Sequence, residues 1–344
     1  MSNPYTLVFG QPPLEIIERK SQAERIISEF CQEHPSNYLN LVTGIRGCGK
    51  TVFITQIANR LKEKKEWIII NLNPQRELLT ALAAKLNSDR FLSRIFKEAE
   101  INLQAFGLGL DIKGAPPITD IEEALTRMLR SIHNHGKRVL ITIDEVTNSR
   151  DIRIFASAYQ IFLREGLPVF LLMTGLYNHI DRLRNAEGMT FLERAPRTVL
   201  SPLNFNSIVE KYVSTLNIKE DTASYLAKST NGYSFAFQVI GYYAWENPSH
   251  LDEALHDARD FLFEFAYHKI WSELSPKDRE LTLATYRSKT GEVATVRKLM
   301  NWSTNQFNPY RDRLIKSGIL SSPSSGYIEL ALPWFGEYAV SVSE

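Results

Sequence analysis

Gly44-Ile45-Arg46-Gly47-Cys48-Gly49-Lys50-Thr51 follows the apolar run Tyr38 to Val42 and leads into a stretch whose Phe53, Ile57 and Leu61 recur at helical spacing. A strand, a glycine-rich turn and a helix start form the setting in which successive backbone N–H groups curl around phosphate oxygens. The positive end of the new helix dipole adds to that attraction. Here Gly44, Gly47, Cys48 and Gly49 supply the loop, Lys50 is expected to reach the β- and γ-phosphates, and Thr51 to place its hydroxyl on Mg²⁺. The stretch therefore predicts a site for ATP or ADP with Mg²⁺. A chance match in a glycine-containing turn is the alternative, and the fixed spacing and flanking pattern argue against it.

A second stretch complements the first. Arg138-Val139-Leu140-Ile141-Thr142-Ile143 is an apolar strand that ends in the adjacent acids Asp144 and Glu145. In an open parallel sheet ligands bind outside the carboxyl ends of the strands, so these acids and the loop are expected to converge. Asp144 is then placed to hold the Mg²⁺ shell, and Glu145 to orient and deprotonate an attacking water. A further buried run, Val169 to Gly175, carries Thr174 at its polar tip, where a γ-phosphate sensor or a plain strand-end threonine fits equally. Arg182, Arg184, Arg194 and Arg197 follow, with Arg194 and Arg197 as candidates for a finger reaching a neighbouring subunit's γ-phosphate. A solvated loop arginine is the alternative for each.

The rest of the chain frames these motifs. Ser21-Gln22-Ala23-Glu24 and Thr119-Asp120-Ile121-Glu122 read as capping boxes opening helices, Trp67 to Asn71 as a strand, and Glu77 to Lys85 and Asp151 to Arg164 as helices. The alternating, glycine-containing residues 101–114 suggest a hairpin or insertion. Helical periodicity then runs through Phe205–Leu216, Asp221–Ser229 and Ser234–Trp245, the pattern of a helical lid whose aromatics form its core. Beyond Asn247-Pro248-Ser249, a long helix from Leu251, a helix capped by Ser275 with Pro276 at its first position, a short helix Val293 to Met300, and a helix following Asn301, with Phe307, Tyr310 and Leu314 at helical spacing and Pro309 either kinking it or lying in its first turn, precede strand, turn and strand at residues 318–330. Three helices followed by a hairpin predict a winged helix, with Arg311, Arg313 and Lys316 of the third helix facing a DNA major groove. From Ser275 to Glu344 nine Lys/Arg stand against seven Asp/Glu, a net charge of +2 and a weak phosphate-binding surface. A winged helix used for protein contacts stays open beside DNA binding.

Composition narrows the class. At 344 residues, with 44% apolar and 23% charged residues and a formal net charge of +1, the chain has room for more than one core and carries no global signal for nucleic acid or membrane. Two cysteines, Cys31 and Cys48, build neither a disulfide framework nor a metal cluster. No apolar run approaches a membrane span, and Met1-Ser2-Asn3-Pro4-Tyr5 lacks the features of a targeting segment, so a cytoplasmic location is expected.

Together these features resemble the AAA+ and STAND-like P-loop ATPases, in particular the branch of the origin-recognition initiators and related archaeal ATPases. Gly44 to Thr51 matches Walker A, and Ile141 to Glu145 matches Walker B with its acid. The resemblance implies the family roles for Gly44, Gly49, Lys50, Thr51, Asp144 and Glu145, sensor 1 for Thr174, and an adenine contact for Arg19 in Glu18-Arg19-Lys20, which lacks the family's glycine. Gly232-Tyr233-Ser234 stands where STAND ATPases carry Gly-x-Pro, and no sensor-2 arginine lies nearby. The expected architecture is an α/β P-loop core with a parallel sheet (1–202), a helical lid (203–250) and a winged-helix domain (251–344). The expected function is an ATP-hydrolysing switch, slow without a partner or self-assembly, associated with duplex DNA or acting as a scaffold that binds protein. A small-molecule kinase is disfavoured, because Glu145 directly follows Asp144 and a lid replaces an acceptor pocket.

Overall fold

Three predominantly apolar runs make the centre of the sheet, the composition of strands covered on both faces in a parallel sheet. β1 (Leu39–Thr43), β3 (Arg138–Ile143) and β4 (Val169–Gly175) are buried along almost their whole length, β4 at every residue. A computed structural model describes residues 2–8, 13–108 and 116–343 of the chain. The strand order is β2-β3-β4-β1-β5, where β2 is Trp67–Leu72 and β5 is Arg197–Val199. β4 pairs in parallel with both β1 and β3, with Thr174 beside Val42 and Met173 beside Ile143. That register brings the carboxyl end of β4 level with the ends of the strands that precede the glycine-rich loop and the acid pair.

The residues fall into two units: 20–43 with 50–198, and 1–19 with 44–49 and 199–344. In the first, helices cover the sheet: α1 (Lys20–Phe30), α2 (Lys50–Lys62), α3 (Leu78–Ser88), α4 (Arg90–Glu98), α5 (Ile121–Asn134), α6 (Arg150–Arg164), α7 (Tyr177–Arg184) and α8 (Thr190–Glu193). One apolar cluster runs from Leu39 to Leu192 and includes Phe96, Phe155 and Phe162. Each such side chain contributes roughly 1.5–3 kcal/mol on leaving water. The helix expected from Thr119 is capped instead by Asp120, whose carboxylate accepts from the Glu123 N–H at 2.8 Å. α1 begins at Lys20, so Ser21 lies inside its first turn. Of the expected hairpin, residues 101–108 hold only a short 3-10 turn, Gln104–Phe106, with Ile101 and Leu103 buried, and 109–114 lie outside the described residues.

The second unit continues with α9 (Phe205–Leu216), α10 (Glu220–Lys228), α11 (Ser234–Glu246), α12 (Leu251–Leu262), a π-helical stretch Phe263–Tyr267, α13 (His268–Glu273), α14 (Pro276–Arg287), α15 (Val293–Met300), α16 (Thr304–Ser317), β6 (Leu320–Ser321), β7 (Glu329–Leu330) and α17 (Phe335–Ser341). β6 and β7 are antiparallel. A single apolar core joins Tyr5, Tyr212 of α9, Phe237 of α11, and the C-terminal residues Tyr267, Phe307 and Phe335. Ser303 and Gln306 form a capping box that starts α16 at Thr304, so Pro309 lies within the helix and not at its first turn.

Candidate functional site

Asp144 is the hub of the first unit's polar cluster. It follows β3 directly, and its Oδ2 accepts the Thr51 hydroxyl at 2.5 Å. Thr51 sits in the first turn of α2, immediately after Lys50, whose side chain is 8% exposed at the helix start. Asp144 Oδ1 accepts the Thr174 hydroxyl and the Glu145 N–H, the latter at 3.0 Å. Thr174 Oγ1 in turn accepts the same Glu145 N–H at 3.1 Å, and the Val146 N–H donates to the Thr174 carbonyl at 2.8 Å. These bonds hold Glu145 with φ +55, a left-handed conformation that few non-glycine residues adopt, and leave its side chain exposed.

Lys50, Thr51, Asp144, Glu145 and Thr174 are thus gathered where the termini of β3 and β4 meet the start of α2. The Thr51 hydroxyl and Asp144 carboxylate are hard oxygen donors a hydrogen bond apart, which fits a small divalent cation such as Mg²⁺ that keeps most of its water and takes one or two protein oxygens. Among the described residues no group of three or more His, Cys, Asp or Glu offers an all-protein metal cage.

The loop itself belongs to the second unit. Gly47 and Gly49 have φ of +76 and +88, so alternate peptides turn as an anion-binding nest requires, and the buried Cys48 closes the turn through its N–H to the Ile45 carbonyl at 3.2 Å. A β-carbon at Gly44 would strike the Cys48 sulfur, and one at Gly47 the Tyr233 hydroxyl. Arg19 lies 3.4 Å from the β-carbon position of Gly49, and donates from Nε to the Ser201 carbonyl at 2.8 Å and from Nη2 to Ser234 Oγ at 3.0 Å. Burial lowers its guanidinium from the ordinary arginine value, with the neighbouring Cys48 opposing. Tyr233 Oη donates to the Arg46 carbonyl at 2.8 Å, Ser234 Oγ to the Cys48 carbonyl at 3.0 Å, and Arg46 pairs with Glu273 of α13 at 3.2 Å. Tyr233, Ser234 and Glu273 were not among the residues expected at the loop. Gly232-Tyr233-Ser234 was legible as a lid motif, but the direction of its hydroxyls was not.

The remaining candidates lie elsewhere. Arg194 is exposed at the end of α8, and Arg197 stacks on the Tyr177 ring at 5.0 Å. In α16, Lys316 is exposed and Arg311 bonds its neighbour Asp312 at 2.9 Å. Arg313 is engaged with the buried Asp278 of α14 at 2.6 Å and stacks on Tyr310 at 4.7 Å.

Residues 20–167 match the family model of an ATPase domain predominantly from Archaea. Across nearly its whole length the chain superposes on a Walker-type ATPase of Pyrococcus abyssi, with a TM-score of 0.63, 16% identity, and coverage of 94% of this chain and 96% of that one. The fold is that of an AAA+-type P-loop ATPase. The ATPase fold recurs in the ORC2 protein of Aeropyrum pernix, solved in ADPNP–ADP complexes, with a TM-score of 0.58, 15% identity, and coverage of 97% and 96%. Outside the ATPase-domain match, residues 264–339 match a domain of unknown function, DUF8462. No curated protein matches the chain.

Proposed function

We propose that the protein is a nucleotide-driven switch that binds Mg·ATP at Gly44–Thr51 and hydrolyses it. The observation that carries this reading is the convergence of Thr51, Thr174 and the Glu145 N–H on the Asp144 carboxylate. In this reading Lys50 draws the γ-phosphate, Thr51 and Asp144 hold Mg²⁺, and the exposed Glu145 carboxylate accepts a proton from the attacking water. Bound Mg²⁺ supplies charge neutralisation on the phosphate oxygens. Thr174, bonded to the Asp144 carboxylate and to the Glu145 N–H, holds Glu145 at a fixed distance from the Mg²⁺ ligands. Phosphoryl transfer is mostly positioning and charge stabilisation, so a second cation is needed, and Arg194 or Arg197 of a neighbouring copy is proposed to supply it.

The three helices α14 to α16 and the β6–β7 hairpin support reading the C-terminal part as a winged helix that carries the output to duplex DNA through Arg311 and Lys316. A second reading, output to a protein partner, is favoured by the engagement of Arg313 with Asp278 and of Arg311 with Asp312, which leaves fewer cations for phosphates. Fluorescence anisotropy of labelled duplex DNA across a salt series separates the two. Binding that weakens with salt and falls with Lys316→Ala supports the DNA output, whereas no binding at low salt supports the protein output. Binding of a fluorescent ADP analogue, lost in Lys50→Ala, tests the nucleotide site itself.

A further inference from the structure

A phosphate loop works only if its N–H groups, and not its carbonyls, face the anion. In a trans peptide the two point to opposite sides, so fixing a carbonyl fixes the N–H behind it. Two loop carbonyls are fixed here from outside the loop, both by neighbouring residues at the start of α11. The Arg46 carbonyl accepts from the Tyr233 hydroxyl at 2.8 Å, and the Cys48 carbonyl from the Ser234 hydroxyl at 3.0 Å. The N–H groups on the far side of those peptides belong to Gly47 and Gly49, the two left-handed glycines of the nest.

We propose that Tyr233 and Ser234 are positioning residues that hold the 46–47 and 48–49 peptides with their N–H groups turned toward the phosphates. The inference rests on the nucleotide-binding reading above and names residues that Walker A does not contain.

The surroundings of each hydroxyl suit a donor. Ser234 Oγ accepts from Arg19 Nη2 at 3.0 Å, and Arg19 is itself anchored on the Ser201 carbonyl at 2.8 Å, so the serine proton is directed to Cys48. Tyr233 is 4% exposed, and burial pushes its hydroxyl well above the ordinary tyrosine range, which keeps it a proton donor. Without these donors each glycine-flanked peptide is free to flip, and a flipped peptide aims the negative end of its dipole at the nucleotide. α11 thereby sets the state of the loop. Arg46, paired with Glu273 at 3.2 Å, keeps the same loop registered on α13.

The test is Mg·ADP titration by calorimetry on the full chain, with inorganic pyrophosphate competition as a probe of the phosphate subsite alone. Tyr233→Phe and Ser234→Ala are each expected to weaken ADP about five- to tenfold, the loss of one oriented hydrogen bond. Pyrophosphate is expected to weaken in proportion, and Ser234→Thr, which keeps the hydroxyl, to restore affinity to within about twofold. A structural disturbance alone would not be rescued by threonine. Wild-type affinity in both hydroxyl-deleted variants, or equal loss in Ser234→Thr and Ser234→Ala, overturns the inference while leaving the nucleotide site standing. Wild-type protein that binds neither ADP nor pyrophosphate overturns the nucleotide-binding reading and the inference with it.

Discussion

Glu145 occupies left-handed backbone space at φ +55, where a side chain with a β-carbon is disfavoured by roughly 1–2 kcal/mol. Its N–H, shared between Asp144 Oδ1 and Thr174 Oγ1, offsets that cost, so Thr174 acts on Glu145 as well as on Asp144. Replacing Thr174 by valine removes the hydroxyl and keeps the volume. The expected outcome is phosphate release reduced about ten- to a hundredfold with ADP affinity nearly unchanged, measured by single-turnover kinetics beside nucleotide titration. Equal losses in binding and turnover would instead place Thr174 in ground-state contact. Glu145→Gln keeps the side chain's shape and removes the proposed base, and is expected to lower turnover by about a hundredfold or more while ATP stays bound. At this scale the sequence was most informative: Lys50, Thr51, Asp144, Glu145 and Thr174 were all legible from spacing and strand ends. The left-handed turn at Glu145 was not, because one of the bonds that hold it, to Thr174 Oγ1, comes from a strand tip 29 residues away.

Among the elements, α16 shows how one side chain can be read two ways. Arg313 was expected to face DNA, yet it closes on Asp278, whose carboxylate also accepts from the Ser275 hydroxyl at 2.6 Å in the capping box of α14. The Asp278 side chain is 7% exposed and that of Arg313 37%. Removing the arginine leaves a buried carboxylate short of its cation, while water screens part of the loss at the exposed partner. Arg313→Ala is therefore expected to lower stability by about 2 kcal/mol, and Arg311→Ala, which loses only an exposed contact to Asp312, by under about 0.5 kcal/mol. Urea midpoints measure both, and a stability-neutral Arg313→Ala would return that residue to the solvent-facing set. Local chemistry explains which helices were legible. α9 was read to the residue because its apolar period is clean, whereas α4 went unread although Asp89 caps it and Leu92, Ile95 and Phe96 share its buried face. α7 has no side-chain cap and only Ile180 and Leu183 buried, so little in its sequence marks a helix. At α16 the sequence leaves Pro309 either inside the helix or at its start, and the Ser303–Gln306 capping box decides for the former.

Over the molecule, buried tyrosines give a pH signature that does not depend on the nucleotide. Burial raises the hydroxyls of Tyr5, Tyr159, Tyr212, Tyr233 and Tyr267 above the ordinary tyrosine value. Because the folded-state values lie above the unfolded one, their contribution is complete below about pH 10 and is lost as pH rises beyond it. The urea midpoint is expected to hold steady up to about pH 9.5 and to fall above pH 10, and Tyr159→Phe to blunt the fall. A midpoint that does not move by pH 11 would contradict this burial. What one sequence conveys least at this scale is which parts share a core. Tyr212 and Phe237 of α9 and α11 and Tyr267 and Phe335 of the C-terminal part belong to one apolar cluster, and the loop residue Ile45 packs against it. Such long-range packing leaves no local periodicity to read. The central claim, a Mg·ATP-hydrolysing switch, is tested most directly by phosphate release from Mg·ATP across protein concentration, with Lys50→Ala and Glu145→Gln as controls. Turnover that rises with concentration or added duplex DNA, and is lost in both variants while Glu145→Gln still binds ATP, is the predicted result. Turnover that survives in Lys50→Ala, or wild-type protein that neither binds nor hydrolyses ATP, would contradict it.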